Sequence, residues 1–121
     1  TYGRSAAQAA QSLRDSGFYP DVIIGHPGWG EMLFLRTIFP KARQIQLAEF
    51  FYHAEGADVG FDPEFSTPVT LDRIVATESK NFGMTSSYVH ADVLVAPTPF
   101  QASLLPTALH DRTRILHEGI D

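Results

Sequence analysis

The stretch Asp21–Glu31, DVIIGHPGWGE, constrains the fold of this chain more than any other. Pro20 and Asp21 make a turn, and Val22, Ile23 and Ile24 form a short apolar run. Gly25-His26-Pro27-Gly28-Trp29-Gly30 then breaks the chain ahead of a second apolar run, Met32 to Phe39. A short β-branched run, a Gly/Pro loop and an apolar stretch of helical length predict a buried parallel strand, a loop and a helix. In open α/β sheets, ligands bind outside the carboxyl ends of the strands. The loop from His26 to Gly30 is therefore the first candidate site.

The same alternation runs through the chain. Ala6, Ala9 or Ala10, and Leu13 predict a helix over Ser5–Ser16 that Gly17 stops. Asp21–Ile24 is the first strand. A second helix is expected from about Trp29 to Phe39, ended by Pro40, and a second strand over Ile45–Ala48. Two strands joined by a helix cross over right-handedly into a parallel pair. Leu71, Ile74, Val75, Phe82 and Tyr88 predict a third helix over about Thr70–Val89, with Gly83 as a weak point. His90-Ala91-Asp92 is a turn and Val93–Ala96 a third strand. Thr98-Pro99-Phe100-Gln101 is a capping box with Pro at the first helical position, so a fourth helix starts at Pro99 and ends near Pro106. Arg114–His117 is the fourth strand. The fold class is α/β: a Rossmann-like, three-layer domain fragment with about four parallel strands and flanking helices.

Between the second strand and the third helix the pattern breaks. Glu49–Phe65, EFFYHAEGADVGFDPEF, mixes aromatics (Phe50, Phe51, Tyr52, Phe61, Phe65) with acids (Glu49, Glu55, Asp58, Asp62, Glu64). Loops beyond about 12–15 residues without regular structure are usually functional or disordered, and five aromatics argue against disorder. Acids and rings together suit carbohydrate. Aromatics that cover a core or a domain interface are the alternative.

Composition removes other classes. The chain has 121 residues, 14 acids against 9 Lys and Arg, and a formal charge of −5, which speaks against a nucleic-acid binder. With no Cys there is neither a disulfide framework nor a Cys-based metal site, which fits a cytoplasmic protein. No apolar run approaches the ~20 residues of a membrane span. The five His residues, His26, His53, His90, His110 and His117, lack ligand spacing, so no metal is expected. There is no GxSxG, P-loop or GxGxxG.

Gly28-Trp29-Gly30 is expected at a helix N-terminus, where free N–H groups and the helix dipole favour an anion or a sugar hydroxyl. Glycine lets a backbone approach a ligand closely. Trp29 is placed to stack on a sugar ring; the alternative is a tight turn with Trp29 packed on the core. His26 is a candidate for the same loop, with a structural hydrogen-bonding histidine as the alternative.

The segment His90–Asp121 resembles the end of the N-terminal domain of a family-4 glycosyltransferase of GT-B architecture. The residues that carry this are Ala91-Asp92, Val93–Ala96, Thr98, Ile115-Leu116 and Glu118-Gly119-Ile120-Asp121. Many members have Asn where this chain has Glu118. Asp21–Glu31 is similar to the family's strand and small-residue loop, and HPGWGE, EFFYHAEGADVGFDPEF and PTPFQ together resemble one bacterial subfamily. The resemblance implies that residues 1–121 are part of the N-terminal, acceptor-side domain, with the donor-binding C-terminal domain absent and the fragment itself inactive. It implies a sugar or glycan acceptor, lipid-linked or not, and a nucleotide-sugar donor bound by the second domain, with no cofactor in this chain. It also implies transfer with retention, and peripheral membrane contact of the parent protein. Glu49, directly after the second strand, becomes the candidate catalytic residue, able to orient an acceptor hydroxyl or act as a base. Tyr52 lies within reach of the same cleft, and Glu118 at its mouth, where the family's chain crosses between domains. A reading from another class is a non-catalytic binding or assembly module: an exposed sheet edge is open to pairing with a second copy.

Overall fold

A computed structural model describes residues 2–57, 60, 62, 64 and 68–119. Phe61, Phe65 and Asp58 of the acid-and-aromatic loop, and Ile120 and Asp121 of the final turn, lie outside the described residues. Four strands, β1 (Val22–Gly25), β2 (Arg43–Leu47), β3 (Val93–Ala96) and β4 (Thr113–Ile115), form one parallel sheet in the order β1-β2-β3-β4. Around them lie α1 (Tyr2–Asp15), α2 (Leu35–Ile38), α3 (Leu71–Ser79), α4 (Asn81–His90), α5 (Pro99–Leu104) and a 3-10 helix, Thr107–Arg112. The parallel α/β class with four strands and flanking helices is the one predicted.

The layering is uneven. Each crossover steps sideways in the same direction, and right-handed crossovers of that kind put their helices on one face. On that face Gln44, Gln46, Leu94 and Ala96 are fully buried. Leu94 packs with Ala48, Met84, Tyr88, Ala91, Leu105 and Leu109 in the main core, and Ala10, Ile38, Phe39 and Ala42 form a second cluster that includes Ile23. On the other face Val22 and Ile24 are exposed, and Ile45, Leu47, Val93 and Val95 are half-buried.

The first helix, the first two strands and the end of α5 are shifted by one to three residues from expectation, and three elements differ more. The second helix is only Leu35–Ile38. Upstream of it the chain winds through turns, with the Gly30 N–H on Pro27 O (3.0 Å) and the Leu33 N–H on Gly30 O (3.2 Å). Gly30 has φ +94, a left-handed conformation that ends any helix through it. The apolar residues there serve tertiary packing instead: Met32 is buried against Gly25, where a Cβ would meet its sulfur at 2.4 Å. The third helix breaks at Lys80, not at Gly83, because the next residue, Asn81, is buried and bonded to a distant loop. A 3-10 helix precedes β4, which starts one residue early, at Thr113, and ends at Ile115.

Local signals fare better. β3 has the predicted bounds. Thr98 caps α5, its Oγ1 accepting the Gln101 N–H at 3.2 Å while its hydroxyl donates to Gln101 Oε1 at 2.7 Å.

The turn before β3 ties the amino edge of the sheet. Asp92 Oδ2 accepts the Gln44 N–H (2.7 Å) and an Arg36 Nη2 hydrogen (2.5 Å), and Arg36 also donates to Ala42 O and His90 O. Burial pushes the Asp92 carboxyl up. The Gln44 N–H, then the hydrogen bond and charge of Arg36, then the charge of Arg43 outweigh this and hold it below the ordinary carboxylate value. The folded state therefore binds fewer protons at Asp92 than the unfolded chain. Its contribution is present above about pH 4 and is lost as pH falls through the folded value. Because the side chain is 39% exposed, the contribution is discounted for solvent screening. Asp92→Asn is expected to cost about 1–2 kcal/mol at pH 7 in urea melts, with the gap to wild type shrinking by pH 3. A gap independent of pH would contradict the pairing.

Candidate functional site

β1 and β2 are neighbours with Gly25 in register with Gln46, so the residues that follow them emerge side by side at the carboxyl edge. His26 follows β1 directly, and Glu49 lies two residues past β2. His26 Nε2 stands 3.2 Å from Glu49 Oε2, and both side chains are partly open to solvent, 39% and 46%. The other ring nitrogen, Nδ1, accepts the Gly28 N–H at 3.0 Å. A neutral imidazole whose Nδ1 accepts must carry its hydrogen on Nε2, which aims that hydrogen at the carboxylate. Two candidates from separate parts of the sequence thus meet as one imidazole–carboxylate pair.

Gly28 is required for this arrangement. A Cβ there would sit 2.6 Å from His26 Cε1 and 2.8 Å from Nδ1. The anticipated helix-end anion site does not form. The Gly28 N–H serves His26, the Trp29 N–H is capped by Glu31 Oε2 at 3.1 Å, and the Gly30 N–H is bonded to Pro27. The helix starts only at Leu35 and has a single turn. Gly30 instead takes a close backbone contact, since a Cβ on Gly3 would meet its carbonyl oxygen at 2.6 Å. Trp29 does not pack on the core: it is 74% exposed, with the Tyr2 ring 6.2 Å away at a tilt. What the loop presents outward is a ring and the imidazole–carboxylate pair, not a row of free N–H groups.

Tyr52 is three residues past Glu49. Its ring stacks on Phe50 with centroids 6.1 Å apart, and Lys80 Nζ lies 5.0 Å from the ring centre. A cavity of about 630 Å³ beside it is lined by Tyr52, His53, Glu78, Asn81, Phe82 and Ser86. His53 Nε2 donates to Leu104 O at 2.8 Å, a structural bond. Phe51 and Tyr52 also pack against the main core, so the loop's aromatics are divided between core and surface. Phe50 and Phe100, both about half exposed, flank a smaller crevice of about 270 Å³. Glu118 is exposed beyond β4, which the sheet order puts two strands from β2 and three from β1, roughly 10 and 14 Å at the usual strand spacing. A further concavity of about 510 Å³, with Arg14, Tyr19 and Phe39 in its wall, lies at the opposite, amino edge of the sheet.

Two residues of α4 contact this region without a signal in the sequence. Asn81 and Tyr88 both bond backbone of the segment after Glu49. Helical spacing marks Tyr88 as core, but nothing marks its hydroxyl. Burial, then the charge of Glu49, then Tyr52 push that hydroxyl far above the ordinary tyrosine range.

A family model described as the glycosyl transferase family 4 group matches residues 1–121. The chain belongs to that group. No curated protein and no solved structure matches it. Membership gives this family-4 protein a glycosyltransferase role, and the carboxyl edge of its sheet is where such a fold presents ligands. Among the described residues, no helix is long and apolar enough to cross a membrane.

Proposed function

We propose that this family-4 chain is the acceptor-side, Rossmann-like N-terminal part of a GT-B glycosyltransferase. In this reading the intact protein works in the cytoplasm, touching the membrane only peripherally. It transfers a sugar from a nucleotide sugar, held by a second domain, to a glycan or lipid-linked acceptor. The observation that carries the proposal is the His26–Glu49 pair, partly open to solvent at the carboxyl edge and beside the exposed ring of Trp29.

The chemistry assigns each group a task. Glu49 accepts the proton of the acceptor hydroxyl as that oxygen bonds to the anomeric carbon from the face that the diphosphate leaves, which keeps the configuration. The bond from that carbon to the diphosphate breaks, and the leaving nucleoside diphosphate keeps the electron pair. His26 donates Nε2–H to the carboxylate and fixes its direction, and Gly28 fixes His26. Trp29 and Tyr52 offer faces on which a sugar ring stacks. Positioning and electrostatics supply most of the rate in such a design.

The test is label transfer by the intact protein from a panel of uridine and guanosine diphosphate hexoses, in the presence of membranes and glycan fractions. Label in a glycan or lipid product is the expected result. Release of free sugar alone, or no consumption of any donor, would count against the proposal.

One observation favours the binding-module reading: among the described residues β1 pairs only with β2, which leaves an edge whose Val22 and Ile24 are exposed. A strict monomer by light scattering at high concentration would remove it.

A further inference from the structure

Helix α4 reaches across to the backbone that follows Glu49 at two points. Tyr88 is 1% exposed, and its hydroxyl donates to Phe50 O at 3.1 Å. Asn81 is 7% exposed; its Nδ2 donates to Tyr52 O and its Oδ1 accepts the Tyr52 N–H, both at 2.8 Å. The Asn81 amide thus satisfies both polar groups of one residue, as a neighbouring strand would. On the other side of Glu49 the chain is held by the sheet, with the Ala48 N–H on Val95 O at 2.7 Å. Glu49 therefore sits on a short span anchored at Ala48, Phe50 and Tyr52. Outside the sheet both anchors are buried polar groups of one helix.

Among the described residues, no strand or helix begins between Leu47 and Leu71. A carboxylate on such a segment keeps a fixed distance to a partner on another strand only if something else fixes its backbone. A displacement of about 1 Å is enough to cost a positioned group much of its effect.

We propose that Tyr88 and Asn81 are positioning residues that hold the Glu49 carboxylate against His26. This rests on the function proposed above for Glu49, and it makes α4 part of the site. Each hydrogen bond takes the place of water that a loop backbone would otherwise recruit, so their loss leaves the core packed but frees Glu49.

The test reads the pair without needing either substrate. In the whole chain at one fixed pH, the ¹⁵Nε2 resonance of His26 is expected to move on Glu49→Ala, because the carboxylate 3.2 Å away is gone. Tyr88→Phe keeps the ring and its packing, and Asn81→Ala removes both hydrogen bonds to the Tyr52 backbone. Each is expected to move that resonance in the same direction by at least half as much, with the chain still folded. An unmoved resonance in folded Tyr88→Phe overturns the proposal even if Asn81→Ala fails to fold. An unmoved resonance in Glu49→Ala overturns it as well, because there is then no pair to position. The two readings separate in the transfer assay: full activity of Glu49→Gln together with the expected resonance shifts leaves the positioning intact and removes Glu49 as the base.

Discussion

Glu49→Gln in the intact protein is expected to lower kcat for sugar transfer by about 10²–10⁴, with KM for the acceptor changed far less. Glutamine has the shape of glutamate and its Oε1 still accepts the His26 Nε2–H, so the imidazole, the Gly28 bond and the loop stay where they are. What is lost is the ability to take a proton and to bear the negative charge that draws it. An interaction realised only as the proton moves shows in kcat, whereas one that holds the bound acceptor equally before and during reaction shows in KM. A Glu49→Gln enzyme with unchanged kcat and a raised KM would reassign Glu49 from base to acceptor clamp. Steady-state rates over a range of acceptor concentrations make the distinction.

Leu94→Ala is expected to cost about 2–5 kcal/mol in urea unfolding of the chain, a large share of a marginal total. Leu94 has no exposed surface, lies on β3 between β2 and β4, and packs where α4 and the 3-10 helix meet the sheet. Truncation removes buried methyl groups and leaves a cavity that strands paired on both sides cannot collapse to fill. A cost below about 1 kcal/mol would mean that the core beneath β3 is not packed as described.

What the sequence made legible is what is local. Val93–Ala96 is a pure aliphatic run between turn residues, and Thr98-Pro99-Phe100-Gln101 writes its own cap, so both appear where expected. The second helix failed because its limits are tertiary: Gly30 takes a positive φ, and Met32 is apolar in order to fill the space beside Gly25, not to extend a helical stripe. On β2 hydropathy points the wrong way. Gln44 and Gln46 are fully buried under the helices while Ile45 and Leu47 are only half-buried on the more open face, and Gln46 Nε2 donates to Ser87 O at 3.1 Å. No hydrophobic pattern could have put glutamines on the covered face.

The candidate site divides in the same way. His26 and Glu49 were each visible because each follows a predicted strand at the edge where ligands bind. Their contact was not, because it depends on the register of β1 against β2. Glu118 looked equivalent by the same logic, and only the strand order separates it from the pair. Asn81 and Tyr88 act through bonds spanning 29 and 38 residues, beyond any local motif.

The measurement that tests the account most directly is chemical-shift mapping of the isotopically labelled chain titrated with mono- and disaccharides. The account predicts that a binding saccharide perturbs His26, Gly28, Trp29, Glu49 and Tyr52 together, and that Trp29→Ala, which removes the exposed ring, weakens the binding while Glu49→Gln changes it little. Perturbations confined to the amino-edge concavity around Arg14 and Phe39, or to the exposed face of Val22 and Ile24, would contradict it.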